Sequence, residues 1–336
     1  MNLPTYLLIL SLLPSFILAE IGYVSNFISN TVSVFDTTNN TISGTITVGT
    51  TLNSGPVFTI FNGSYAYVAN FIENTVSVIN ANTEQVINNI TVGSRPVHLG
   101  IQGNYLYVVN YAGGSGSGSV SVVDITTNTV QETIIDASFN GPTEIALSGN
   151  YAYVTNQGNT SPGTGNTISV INLSSNTVTG TLNLSPNSGP IGIAIQGNYA
   201  YTANLNSNSV SVVNVTNNTQ TTIPDLTGAY DIAISGNYAY VTNSDDSIYV
   251  IDLNTNTVIR TIISAAPSST ATDITIYGNS AYVANFENSV SIVNLNTDTY
   301  VYLSDPLNTL NGPSDVALSS FSNPPRSFGR PNNRRP

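Results

Sequence analysis

The 336 residues contain no cysteine, no lysine and no tryptophan, and a single histidine, His98. Without cysteine there is no disulfide, no thiolate metal site and no thiol nucleophile. Without lysine there is no Schiff-base chemistry, and one histidine cannot build a His cluster for zinc. No haem or copper ligand set is present either. No Gly-x-Ser-x-Gly elbow accompanies His98, and the glycines at 113, 114, 116 and 118 do not stand in a nucleotide-binding strand–helix context.

Charge is scarce as well, at 7% of residues against 40% apolar. That balance does not suit a disordered chain, whose hydrophobicity is low and whose net charge is high. Between Glu20 and Ser320, 18 acidic residues face only Arg95 and Arg260, whereas Arg326, Arg330, Arg334 and Arg335 crowd the last eleven positions. An acidic body lacking basic clusters argues against nucleic acid or anionic membrane as its partner.

What the chain has in abundance is a repeat. Gly236-Asn-Tyr-Ala-Tyr240-Val-Thr-Asn243 has close copies ending at Asn70, Asn110, Asn156, Asn204 and Asn285, and a truncated one ending at Asn26. The seven asparagines stand 44, 40, 46, 48, 39 and 42 residues apart. A period of about 40–45 residues with strand-like alternation is that of a four-stranded propeller blade. The expected fold is therefore all-β, a seven-bladed β-propeller of four-stranded antiparallel blades over residues 20–320.

Within each repeat, Val-Ser-Val at 76–78, 120–122 and 210–212 has the period of two expected of strands with a hydroxyl-bearing exposed face. An Asx residue (Asp36, Asn80, Asp124, Asn172, Asn214, Asp252, Asn294) is followed four positions later by Asn40, Glu84, Asn128, Asn176, Asn218, Asn256 or Asp298, a pattern that predicts left-handed hairpin turns. The first copy begins at its second strand, and Gly312 to Ser319 supplies a first strand with no second after it. Pairing the two completes one blade and closes the ring without an open sheet edge.

The flanks read differently. An apolar core over Tyr6–Leu13 and Phe16–Leu18, with Ala19 before Glu20, reads as a secretory signal over residues 1–19. No later apolar run approaches the ~20 residues of a membrane span. Residues 321–336 form a Pro, Asn and Arg-rich tail whose composition is that of a disordered, basic segment.

Tyr240-Val-Thr-Asn243 and Tyr153-Val-Thr-Asn156, each followed by a Val-Ser-Val-like strand and a Gly-Pro or Arg-Pro step elsewhere in the repeats, resemble the YVTN-family β-propeller repeats. That resemblance implies a surface-layer-like or otherwise secreted propeller. It implies no particular activity, because related propellers share a fold rather than a function.

Aligning the repeats on the Gly-Asn-Tyr turn brings Phe58, His98, Glu144, Gly192, Asp231, Asp273 and Asp315 into one register position. His98, Glu144, Asp231, Asp273 and Asp315 are then candidate ligand or cation contacts around a solvated channel mouth. Asp245, Asp246, Glu73 and Glu287 are expected on the same face. An oxygen-rich, lysine-free setting suits a hard cation such as Ca²⁺, and no other cofactor is expected.

Long loops over Tyr111–Ser119 and Gln157–Thr167 make that face the expected docking place for a protein or glycan partner. Eight sequons, at Asn39, Asn62, Asn89, Asn159, Asn172, Asn183, Asn214 and Asn217, are glycosylation candidates, only Asn159 on the loop face. The expected function is a secreted or surface-displayed binding or structural module without catalysis. The alternative is a hydrolase or lyase using the channel carboxylates, with or without a metal. N-terminal sequencing of the exported protein should begin at Glu20; a product that keeps Met1 would overturn the assignment of a cleaved signal.

Overall fold

The structure, a computed structural model, describes residues 21–112, 117–159, 165–263 and 270–319. The expected signal over 1–19, the tail over 321–336 and the tips of the two long loops lie outside the described residues.

Seven four-stranded antiparallel sheets are arranged as the blades of a propeller. Blade 1 takes Ile21–Asn26, Thr31–Asp36 and Thr41–Thr47 as second, third and outer strands, and Pro313–Leu318 as its inner strand. The inner strands of blades 2 to 7 are Pro56–Asn62, Pro96–Gln102, Pro142–Ser148, Pro190–Gln196, Ala229–Ser235 and Ala271–Tyr277. Each packs beside the inner strand of the next blade, and the last packs beside the first. One face, here the loop face, carries the second-to-third loops and the links between blades. The other, the turn face, carries the inner-to-second and third-to-outer turns.

The core is divided among the junctions. Tyr201, Val210 and Val212 of blade 5 bury against Ile232, Ala239 and Val241 of blade 6, and each of the other six junctions has a comparable cluster. A second strand such as Tyr65–Asn70 is buried along five of its six residues, because neighbouring blades cover both of its faces.

The turn chemistry follows the pattern expected. All seven residues from Asn40 to Asp298 adopt positive φ, between 50° and 57°. The Asx side chain four positions earlier accepts the backbone N–H two residues on, as Asp124 does from Thr126 at 2.8 Å and Asp252 from Asn254 at 2.8 Å. Gly236 and its five counterparts in the inner-to-second turn hold φ between 56° and 59°, where a Cβ is disfavoured.

The Val-Ser-Val strands depart from the expectation of an exposed hydroxyl face. Ser33, Ser77, Ser121, Ser169, Ser211 and Ser291 are fully buried. The motif asparagine explains them: Asn70 donates from Nδ2 to Ser77 Oγ at 2.8 Å, Asn204 to Ser211 at 2.9 Å and Asn285 to Ser291 at 2.9 Å. In blade 6 the serine position is Tyr249, and Asn243 donates instead to the carbonyls of Val241 and Ser247. The asparagine and serine are one buried polar clasp between the second and third strands, and neither could be buried alone without losing its partner.

At the seam, Tyr23 pairs with Ala317 and Val24 with Val316. Ser319 completes it, its N–H donating to Ile21 O at 2.9 Å and its Oγ accepting from Ile21 N at 3.1 Å. Deleting residues 312–319 should abolish the single cooperative thermal transition followed by circular dichroism, whereas deleting 321–336 should leave it in place. A 312–319 deletion that melts like the full chain would show that the ring does not depend on the seam.

Candidate functional site

The site begins with a defect repeated seven times. Every inner strand carries a β-bulge near its start, at the register position predicted from the repeat alignment. A bulge takes an amide out of the ladder and re-aims a side chain. The freed amides need acceptors, and the carboxylates supply them across the blade boundary.

Glu144 of blade 4 accepts from Ile193 N of blade 5 at 3.1 Å, and Asp231 of blade 6 from Ile274 N of blade 7 at 2.9 Å. Asp273 of blade 7 accepts from Val316 N of blade 1 at 3.1 Å, and Asp315 of blade 1 from Thr59 N of blade 2 at 2.8 Å. Each acceptor therefore reaches the residue after the register position in the next blade. In blades 4 and 6 the threonine of Tyr-Val-Thr-Asn caps a second amide, Thr155 Oγ1 accepting from Glu144 N and Thr242 Oγ1 from Asp231 N, both at 3.1 Å.

Blade 5 has Gly192 at this position and so has no side chain to offer. Asp231 compensates with its second oxygen, which accepts from Ile232 N at 2.7 Å and occupies the space a Cβ on Gly192 would need. In blades 2 and 3 the position holds Phe58 and His98, whose rings stack with centroids 3.8 Å apart. His98 Nε2 lies 3.5 Å from Glu144 Oε1.

These residues form a neck between two cavities. The one toward the loop face, of about 360 Å³, is walled by Val57, Val97, Ile191 and Tyr230, with Phe27, Phe71 and Phe286 above them. The one toward the turn face, of about 370 Å³, is walled by Ile60, Phe61, Thr275 and Leu318 among others.

The five residues of the register alignment come together in the structure, in surroundings that differ from those expected. Asp231 is 8% and Asp315 2% exposed, while Glu144 at 16% and Asp273 are half-buried, so the carboxylates sit in a narrow neck rather than around an open mouth. The mouth is formed instead by the second residues of the inner strands (Val57, Val97, Ile191 and Tyr230, with Thr143, Thr272 and Ser314) and the phenylalanines that follow Asn26, Asn70 and Asn285. That signal, Asn-Phe in three consecutive blades (7, 1 and 2), is legible in the sequence once the blade order is known.

The loop-face acids serve their loops. Glu73 accepts from Thr50 N at 2.8 Å, Glu287 from Thr270 N at 3.0 Å and Asp245 from Ser247 N at 3.2 Å. Asp246 stands in the same loop as Asp245, in the left-handed conformation. Of the sequons, Asn39, Asn62, Asn172, Asn214 and Asn217 lie at turn-face turns or strand ends, Asn89 and Asn183 in outer strands, and Asn159 in a loop-face segment.

Burial decides the protonation of the neck. It pushes the carboxyls of Glu144, Asp273 and Asp315 well up and that of Asp231 up, and the neighbouring acids push Glu144 and Asp273 further. Burial also lowers His98 to about 3. An ion pair between His98 and Glu144 would have required shifts of the opposite sign. With each side chain only 16% exposed, desolvation outweighs their attraction and acts against the charged form of both partners. Among the described residues no group of three or more His, Asp or Glu side chains is disposed to hold a metal ion, the carboxylates being turned to amides and to one another.

Comparison with known proteins bears on the fold alone. The LVIVD repeat family matches residues 142–160, 191–223, 228–257 and 268–308, all within blades 4 to 7 and the link before blade 7. No curated protein matches the sequence. Among solved structures, the chain is similar to a functionally unknown protein from Desulfotomaculum acetoxidans, at 17% identity and a TM-score of 0.70 over 89% of this chain and 98% of that one. It is similar to AztD from Citrobacter koseri at 12% identity and 0.60, over 90% and 98% of the two chains. Similarity to hydrazine synthase from Kuenenia stuttgartiensis reaches 20% identity and 0.61, over 72% and 77%. Among the described residues no helix is long and apolar enough to cross a membrane. The chain is a seven-bladed repeat β-propeller.

The neck gives the fold a pH signature. Carboxyls whose folded pKa is raised above the ordinary 3.8–4.5 hold protons that the unfolded chain releases, so they stabilise the fold at low pH and cost stability as pH rises. His98, lowered from 6.5 to about 3, acts oppositely, and only between those values. The four carboxyls outnumber the one histidine, so the melting midpoint should fall as pH is raised above the ordinary carboxyl range. Asp315→Asn should flatten that slope while keeping the acceptor for Thr59 N. Asp315→Ala should cost about 1–3 kcal/mol by orphaning a buried amide. A midpoint that does not fall as pH rises above the ordinary carboxyl range would refute raised neck carboxyls.

Proposed function

We propose that the protein is a secreted or surface-displayed interaction module of the YVTN type, whose loop-face mouth takes an apolar side chain of a protein partner. The observation carrying this reading is the composition of the mouth. Phe27 and Phe71 pack edge to face at 6.3 Å, Phe286 is 39% exposed, and the guanidinium of Arg95 sits 5.7 Å over the Phe71 ring. They overhang a cavity of about 360 Å³, within the roughly 300–1,000 Å³ of ligand pockets. An aromatic crescent with one arginine at its edge has the make-up of an interface hot spot. The surrounding links are held by Asn30 and Asn74, which accept from Gly55 N and Arg95 N, so the crescent is pre-organised.

The hydrolase or lyase reading gains less support. A carboxylate pair must offer a free general acid and a free base or nucleophile. Asp231 has both oxygens engaged by amides, and Glu144, Asp273 and Asp315 each hold a neighbour's amide. Calcium would have to displace protons from the same groups, so it should raise the melting midpoint at pH 8 more than at pH 5 if it binds there.

A photo-crosslinking residue at position 286, introduced in the producing cells, tests the main reading. The expected result is an adduct with a discrete protein outside the cell or at its surface. It should be lost with Phe71→Asp, retained with Glu144→Gln or Asp231→Asn, and absent when the crosslinker stands at Tyr105 on the turn face. Absence of an adduct from position 286, or one insensitive to Phe71→Asp, would overturn the mouth as the binding site.

A further inference from the structure

The turn face has its own repeated feature. The first residue of the second strand is Tyr65, Tyr105, Tyr151, Tyr199 or Tyr238 in blades 2 to 6, each 41–44% exposed. Between blades 6 and 7 this tyrosine borders a groove of about 380 Å³. Tyr238 and Arg260 come from blade 6, and Asn279 and Asn296 from the turns of blade 7.

Arg260 sets this groove apart. It pairs in register with Val250, and the same register position holds Asn88 in blade 2, Glu132 in blade 3 and Gly180 in blade 4. Its Nη2 donates to Leu295 O at 2.8 Å and its Nη1 lies 3.4 Å from Asp298, contacts that fix the guanidinium across the blade boundary. The side chain is still 35% exposed. A protein with two arginines in its folded body has thus placed one where its guanidinium is held still beside the groove.

We infer that this groove is a binding site for a neutral hexopyranose oligosaccharide. A half-exposed tyrosine ring offers a flat apolar surface for the C–H face of a pyranose, and it has a polar tip that tolerates water. The two asparagine amides donate and accept, as paired sugar hydroxyls require, and the part-exposed guanidinium of Arg260 lines the same groove in a fixed orientation. Charge selects the neutral class. Asp298 already balances Arg260, and the body carries 18 acids against two arginines, so a polyanionic glycan would approach against the field of the whole ring. The site is separate from the mouth, lying on the opposite face.

Saturation-transfer NMR on the full mature chain with millimolar chitotetraose, mannotetraose and cellotetraose, and with tetragalacturonate as the anionic arm, tests the assignment. At least one neutral tetrasaccharide should receive saturation, strongest at its ring C–H protons. Tyr238→Ala and Asn279→Ala should each reduce the signal at least tenfold without moving the melting midpoint, as should Arg260→Ala if it folds. Tyr105→Ala, the same tyrosine in blade 3 where Glu132 replaces the arginine, should leave the signal unchanged. Lack of binding by all three neutral probes, binding that survives Tyr238→Ala, or equal binding of tetragalacturonate would overturn the assignment.

Discussion

No blade in this ring has a core of its own. Every large buried cluster straddles two blades, so a sheet in isolation would expose both faces of its second and third strands to water. At about 25 cal/mol per Å² of apolar surface, the stability of each blade is supplied by its neighbours. A linear stack built on that principle would end in two bare faces. Closing it removes both, and it makes Pro313–Leu318, a single strand crossing from the end of the chain to its beginning, the element on which the remaining contacts depend.

The channel neck answers a problem the ring creates for itself. Seven inner strands converge, and their bulges leave backbone amides facing the axis, where water access is poor. Carboxyl groups from blades 4, 6, 7 and 1 meet those amides across the junctions. Burying four acids so close together forces them toward the neutral form, which is the less costly way to keep their acceptor oxygens in place. Hydroxyls on the residue before the register position do the same for carbonyls of the next blade: Thr143 donates to Ile191 O at 3.1 Å and Ser314 to Pro56 O at 3.1 Å. The acids in this neck therefore work as inter-blade fasteners before any ligand is considered.

The repeat made most of the architecture legible. The spacing of Asn26 to Asn285 gave the blade number, the incomplete end copies gave the seam, and Asp36 with Asn40 and its six counterparts gave the left-handed turns, since each rests on local chain geometry. The site was legible only as a position. Alignment put Asp231, Asp273 and Asp315 on adjacent inner strands, but whether such a position is wet depends on bulges and on the next blade's amides, which no single repeat encodes. Buried serines were misplaced for a similar reason. The alternation of Val-Ser-Val is real, yet Ser77 faces Asn70 inside the blade, and period-two patterning cannot separate a polar residue that meets water from one that meets an amide.

In a protein made from one repeated unit, the positions that break the repeat are the ones freed from its structural demands. The consensus asparagines, serines and glycines are held in place by the same local bonds in blade after blade. Phe27, Phe71 and Phe286 are not, nor are Gly192, His98 and Arg260. Gly192 removes a fastener, and Asp231 satisfies the amide left open in its own blade. Phe286 keeps a large apolar ring in water at one rim, and Arg260 keeps a fixed guanidinium at the other. Neither arrangement is required by the blade geometry, because blades 4 and 5 have Gln157 and Leu205 where the phenylalanine stands, and blade 4 has Gly180 in place of the arginine. Departures of this kind at both faces give the ring two chemically different surfaces, one aromatic and one a tyrosine–amide groove, on a scaffold that is otherwise nearly symmetric.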